Sequence, residues 1–136
     1  MEILFKGKGK HGVKWAVGQL LTDPFGDMYI MQWVDCGNNY NTIYVDVQKD
    51  SICRYTGLTY QDGTKVWEMD IISYNHNYDA IGIIRYGEFN KKYIGFYIEW
   101  IGIHHDMRND PLYWIDKVKC IGNVVDNPEL LEVDDD

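Results

Sequence analysis

No stretch of this chain holds the eighteen or so unbroken apolar residues that a membrane-spanning helix requires, so no membrane partner is expected. The opening MEILFKGKGK is too interrupted by lysine for the apolar core of a secretory leader, which predicts a cytoplasmic protein. Cysteine is scarce and badly spaced for cross-links. Cys36, Cys53 and Cys120 are odd in number and contain no Cys-x-x-Cys, a pattern of reduced, mostly buried thiols rather than a disulfide framework. Long amphipathic helices are missing as well: no segment keeps a 3.6-residue apolar period for more than a turn. Basic residues are outnumbered, and the net charge of −8 argues against nonspecific nucleic-acid binding, which needs clustered Lys and Arg.

What remains is β structure and aromatic surface. At 136 residues the chain fits one domain with a real core. Five of its acids crowd into Glu129–Asp136, with an acidic tail at 134–136, while Lys6, Lys8, Lys10, His11 and Lys14 make the amino-terminal loop locally basic. Two independently solvated charge runs explain this arrangement, and pairing of loop and tail between subunits is the alternative.

Alternation predicts strands over Glu2–Lys6, Val13–Leu21, Met28–Val34 and Thr42–Val47, a front meander spanning 1–52. Asp23-Pro24-Phe25-Gly26 reads as a type I turn. The stretch Cys53–Ile72 is the centre of the chain: a tight turn at Thr56-Gly57, a two-residue hairpin turn at Asp62-Gly63, then a core strand Val66–Tyr74 containing Asp70-Ile71. Further strands are expected over Ala80–Tyr86, Lys92–Ile101 and Lys117–Val125, with a turn at Gly87–Asn90 and polar breaks at Asn75–Asp79 and His104–Pro111. Leu112–Asp116 reads either as a helical turn, with Asp110-Pro111 as its amino-terminal cap, or as the lead-in to a strand. Asn127-Pro128-Glu129-Leu130-Leu131 reads as a capped helical turn. The run Lys92–Ile101 is apolar on both faces, as in a central strand or one covered by another subunit. The fold class is therefore all-β and mainly antiparallel, with only short helical turns.

Catalytic and metal constellations are weak. His104-His105-Asp106 with Asp110 offers two imidazoles and two carboxylates, but adjacent strand histidines point to opposite faces, so no metal site is assigned and a metal-dependent hydrolase is the least favoured reading. Glu68 and Asp70, two apart on one strand face, form an imaginable acid and base pair; Asp70 bonding the backbone of the adjoining turn is preferred. Ser51 and Ser73 lack a nucleophile-elbow context. The GKGKHG loop lacks phosphate-loop spacing. No catalytic residue and no cofactor are expected. Lys8, Lys10 and Lys14 with Trp15 are the one place where bases and an aromatic ring interleave as in single-strand nucleic-acid platforms; a tryptophan packed beneath a solvated loop is preferred. Twenty aromatic residues, eleven of them tyrosine, suit both cores and interfaces.

Three segments, in order, resemble the YopX proteins of bacteriophages and prophages. They are KWAVGQLL at Lys14–Leu21; YTGL at Tyr55, Thr56, Gly57 and Leu58 followed by Asp62, Gly63 and the run through Glu68, Asp70 and Ile71; and IGNVVDNPELLEV, carrying Gly122, Asn123, Asn127, Pro128, Glu129 and Leu130. Met69 stands where that family usually has Gly, which predicts a backbone at 69 that does not require positive φ. The resemblance implies a phage or prophage protein of unassigned activity, mostly β, with a small SH3-like barrel over 53–133. It also implies self-association into a homo-oligomer. The function expected is a nonenzymatic accessory protein that binds itself and phage or host proteins, with a nucleic-acid module built on the amino-terminal loop as the alternative.

Overall fold

A computed structural model describes residues 3–12, 14–74, 77–89, 91–101 and 110–132. The chain divides into two compact units, Met1–Tyr55 and Thr56–Asp136. The boundary falls inside the YTGL segment.

The first unit is an antiparallel meander. Strands β1 (Phe5–Lys8), β2 (Trp15–Thr22), β3 (Met28–Asp35), β4 (Tyr40–Asp46) and β5 (Cys53–Thr59) lie in the order β4-β3-β2-β1-β5, and β5 crosses into the second unit. Strand pairing runs through Lys6↔Val17, Gln19↔Met31, Trp33↔Thr42 and Lys6↔Cys53. Alternation sends Ala16 and Ile30 inward to a core completed by Val47, with Phe5, Leu20, Met28, Val45 and Ile52 packed against it. β1 begins three residues later than the alternation suggested and runs to Lys8, because the Lys8 amide donates to Ser51 Oγ at 2.8 Å and the strand pairs with Trp15. The chain reverses after β2 as expected: the Asp23 carboxylate accepts from the amides of Phe25 and Asp27, each at 2.9 Å.

The second unit pairs the end of β5 with β6 (Lys65–Trp67) and builds a five-stranded antiparallel sheet in the order β10-β9-β8-β7-β11. Its strands are β7 (Asp70–Tyr74), β8 (Asn77–Phe89), β9 (Tyr93–Ile101), β10 (Asp110–Pro111) and β11 (Val118–Asn123). The core joins Tyr60, Val66, Ile72, Ala80, Ile84, Ile98, Trp100 and Val118. Single 3₁₀ turns at Lys49–Ser51, Leu112–Lys117 and Pro128–Leu131 are the helical structure among the described residues.

Several local expectations need correction. Thr56-Gly57 does not reverse the chain; it is a kink within β5, where Gly57 takes φ 87° and Thr56 Oγ1 donates to the Val66 carbonyl at 2.8 Å. Asp62-Gly63 is not a two-residue turn. The Tyr60 amide donates to Thr64 O at 2.8 Å, closing a three-residue loop with Gly63 alone at positive φ, 91°. The expected strand Val66–Tyr74 is broken by a turn at Glu68-Met69, and Met69 sits at φ 71°. The amino acid was compatible with an ordinary strand, but neighbours dictate otherwise: the Met69 amide donates to Ile84 O at 2.7 Å and its carbonyl accepts from Val124 N at 2.9 Å. β8 continues through Gly87 and Glu88 to Phe89, so the chain reverses between Phe89 and Tyr93 and not from Gly87, and the Lys92 amide donates to Phe89 O at 2.9 Å. Finally, Cys36 is exposed, whereas Cys53 is buried and Cys120 half-buried.

Candidate functional site

Three places concentrate chemistry, and each is built by a different part of the sequence. The first is the outward face of the first unit's sheet. With Ile30 turned into the core, its neighbours in β3 must face outward, and the register places Trp33 beside Thr42 and Met31 beside Tyr44 on that side. Trp33 is 67% exposed, Tyr40 66% and Tyr44 60%, and Val17 and Leu21 of β2 share the same face. Large aromatic surface left in water on one sheet face is a feature of protein-binding surfaces. Alternation puts Tyr29, Met31 and Trp33 on one side without marking that side as the open one. The run whose sequence is apolar on both faces is Lys92–Ile101, where Ile98 and Trp100 are buried while Tyr93 and Ile94 are exposed.

The second place is the basic loop at the β1–β2 end of that sheet. Pairing puts Lys8 beside Trp15, and Lys10, His11 and Lys14 border a shallow cleft of about 590 Å³ with Tyr44 and Asp46. Thus Lys8, Lys10, Lys14 and Trp15 do lie near one another. The charge of Lys10 is locally answered, however. Lys10 Nζ lies 3.5 Å from Asp46 Oδ1 and 4.0 Å from Asp27 Oδ1, and Lys6 Nζ sits 4.6 Å above the Trp15 ring. Partial burial, then the charges of Asp23, Asp27 and Asp46, push the nearby Tyr29 phenol above its ordinary pKa. This end of the sheet is mixed in charge, with no basic stripe. Residues 1–55 as a whole carry six cations and six acids.

The third place explains the central motif. Asp70 is 4% exposed, and its Oδ2 accepts from the Tyr60 hydroxyl at 2.7 Å and from the Trp67 amide at 2.9 Å. The carboxylate therefore spans the Glu68-Met69 turn, as preferred from sequence, and ties the β5–β6 loop to β7. Because that turn intervenes, Glu68 lies in the turn and outside the strand that carries Asp70, so the two do not share a strand face. Tyr60 borders a cavity of about 290 Å³ with Asp62, Lys119 and Cys120. Burial above all, then the charge of Asp70, pushes the Tyr60 phenol far above its ordinary pKa, so it stays neutral and serves as a donor, not as a base. At the loop tip, Asp62 Oδ1 accepts from the Thr64 hydroxyl at 2.7 Å and its amide at 3.0 Å, which hold that carboxyl below its usual range.

The carboxy-terminal motif is a second latch. Asn127 Oδ1 accepts from the Asn123 amide at 3.2 Å, and Asn123 Oδ1 accepts from the Asp126 amide at 2.8 Å. A Cβ on Gly122 would lie 2.5 Å from Asn127 Oδ1 and 3.0 Å from Leu130 Cδ1, so Gly is needed there for the turn to fold back. Pro128 opens the 3₁₀ turn that carries Glu129 and Leu130, but the Asn127 side chain does not cap it, contrary to the cap expected from sequence. Tyr55 joins the scaffold too, its amide donating to Leu4 O at 3.0 Å; Leu58 is exposed on β5, and Ile71 is fully buried on β7. His104, His105 and Asp106 lie outside the described residues. Asp110-Pro111 forms the short strand β10, and the helical turn expected over Leu112–Asp116 is present as the 3₁₀ turn Leu112–Lys117 that follows it. Among the described residues no cluster of three His, Cys, Asp or Glu side chains is arranged to hold a metal ion.

The comparisons with known proteins agree with this picture. No curated protein matches the chain. Its fold is similar to that of the crystal structure of protein EF1440 from Enterococcus faecalis, with a TM-score of 0.62 at 20% identity, covering 97% of this chain and 99% of that one. The family model described as YopX protein matches residues 5–132, nearly the whole chain. The chain belongs to the YopX family.

Proposed function

We propose that the protein works without catalysing a reaction, as a phage or prophage accessory protein that self-associates in the host cytoplasm and binds protein partners. The observation that carries this reading is the outward face of the first unit, where Trp33, Tyr40 and Tyr44 stand in water on one sheet. The two motifs that identify the family support it by default: Asp70 and Asn127 are consumed by backbone and hydroxyl hydrogen bonds that hold turns in place, so the family's polar signature reads as scaffold. Nucleic-acid binding through Lys8, Lys10, Lys14 and Trp15 is the weaker reading, since Lys10 already faces two carboxylates.

Sedimentation of the full chain and of a chain ending at Leu131, each at low and high salt, tests the proposal. Apolar association predicts one oligomeric mass in all four samples. A monomer throughout would overturn it. Affinity for single-stranded nucleic acid that falls steeply with salt and disappears in a Lys8, Lys10 and Lys14 triple alanine variant would favour the weaker reading instead.

A further inference from the structure

We infer that two copies of the chain join edge to edge through β4, in an antiparallel pairing centred on Thr42; this rests on the self-association proposed above and names its contact. Among the described residues the two sheets end in the edge strands β4 and β6, and β10 and β11. Strand edges expose unpaired amides and carbonyls, and proteins usually blunt them with lysine, proline, bulges or shortness. β6 has three residues and carries Lys65, β10 has two and carries Pro111, and β11 carries Lys119 and a register break between Cys120 and Gly122. β4 has none of these devices. It runs seven residues, and Tyr40 to Val45 contain no charge, no proline and no register break against β3.

The ladder fixes which groups are open. Cys36 N donates to Asn39 O and Val47 N to Met28 O, so the hydrogen-bonded pairs of the β3–β4 ladder include Asn41, Ile43 and Val45 on the β4 side. Tyr40, Thr42, Tyr44 and Asp46 therefore turn their amides and carbonyls away from β3. Lys10 N closes on the Asp46 carbonyl at 2.9 Å, which ends the open edge at Tyr44. Three residues remain open, and their sequence reads the same in both directions: Tyr, Thr, Tyr.

A twofold axis at Thr42 satisfies every one of them. Thr42 pairs with Thr42 of the partner subunit, Tyr40 with the partner's Tyr44, and Tyr44 with the partner's Tyr40. Each pair exchanges two amide-to-carbonyl bonds, so three donors and three acceptors on each copy are all used. The side chains of these residues share the outward face, where aromatic pairs and Thr–Thr pairs favour sheet pairing. The result is one continuous sheet whose aromatic outer faces run on across the axis and stay available to a protein partner.

Thr42→Pro separates this inference from the reading beneath it. The Thr42 amide makes no bond to β3, and proline is tolerated on a strand edge where its missing N–H faced solvent, so the monomer should keep its fold by circular dichroism. The pairing should weaken at least about tenfold in dissociation constant, since two central donors are lost and a ring fills the seam. A second variant reads the register directly. In a Cys36→Ser background, Thr42→Cys should form a disulfide-linked dimer under mild oxidation, because hydrogen-bonded antiparallel partners lie about 5.5 Å apart between Cα atoms, within disulfide reach. Tyr40→Cys should not, its partner copy being about 14 Å away along the strands. An oligomer that keeps its mass in folded Thr42→Pro, or that cross-links at position 40 and not at 42, overturns the edge pairing alone. A parent chain that stays monomeric overturns both the pairing and the self-association on which it rests.

Discussion

At position 69 the usual order of alanine and glycine should invert. Met69 takes φ 71°, a left-handed conformation in which a Cβ costs roughly 1–2 kcal/mol. It is held there by two backbone bonds, from its amide to Ile84 O and from Val124 N to its carbonyl, so the turn cannot relax without opening β8 and the segment after β11. Comparing Met69→Gly with Met69→Ala cancels the loss of the half-buried methionine side chain, which both variants share. Glycine's greater unfolded-state freedom offsets about 0.4–1 kcal/mol of the relief. Met69→Gly should therefore be the more stable by about 0.5–1 kcal/mol, where alanine wins at an ordinary strand position. Urea unfolding followed by tryptophan fluorescence, with equal slopes for the two variants, measures the difference in midpoint. An alanine variant as stable as the glycine one would show that the backbone bonds do not enforce this conformation.

Asp70→Ala leaves the Tyr60 hydroxyl and the Trp67 amide buried without their acceptor and should cost about 3 kcal/mol in the same assay, with the β5–β6 loop exchanging its amides faster. The pH dependence follows from Tyr60. Its folded pKa is raised above the unfolded value of 10.0, so its contribution is complete below pH 10 and lost as the pH rises above it; the parent should lose stability more steeply there than Tyr60→Phe, in urea midpoints measured between pH 9 and 11. Gly122→Ala should cost about 2 kcal/mol, because the added methyl meets Asn127 and Leu130 in a fully formed turn; thermal unfolding of the variant checks this.

Strand content and order were legible in the sequence because period-two alternation survives wherever one face is buried, as at Ala16, Ile30 and Ile98. Reversals that rest on local chemistry were legible too, the Asp23 turn being set by its own side chain. What the sequence hid was set by distant partners. Met69 looks like a strand residue and is bent by hydrogen bonds to Ile84 and Val124. Glu68 and Asp70 look like neighbours on one face until that bend separates them. Asn127 looks like a helix cap, yet its acceptor is taken by Asn123, four residues back, through space that only Gly122 leaves open. The outward aromatic face escaped notice for a different reason. Alternation assigns residues to two faces without saying which is covered, and only the packing of Ile30 against Ala16 and Val47 decides that Trp33 and Tyr44 are left in water.

Light scattering on the full chain, over a concentration series reaching high micromolar and repeated in high salt, decides whether the chain self-associates. Association through strand edges and apolar faces gives a mass that is a multiple of 16.0 kDa and that salt does not lower. A mass of 16.0 kDa at every concentration would contradict it.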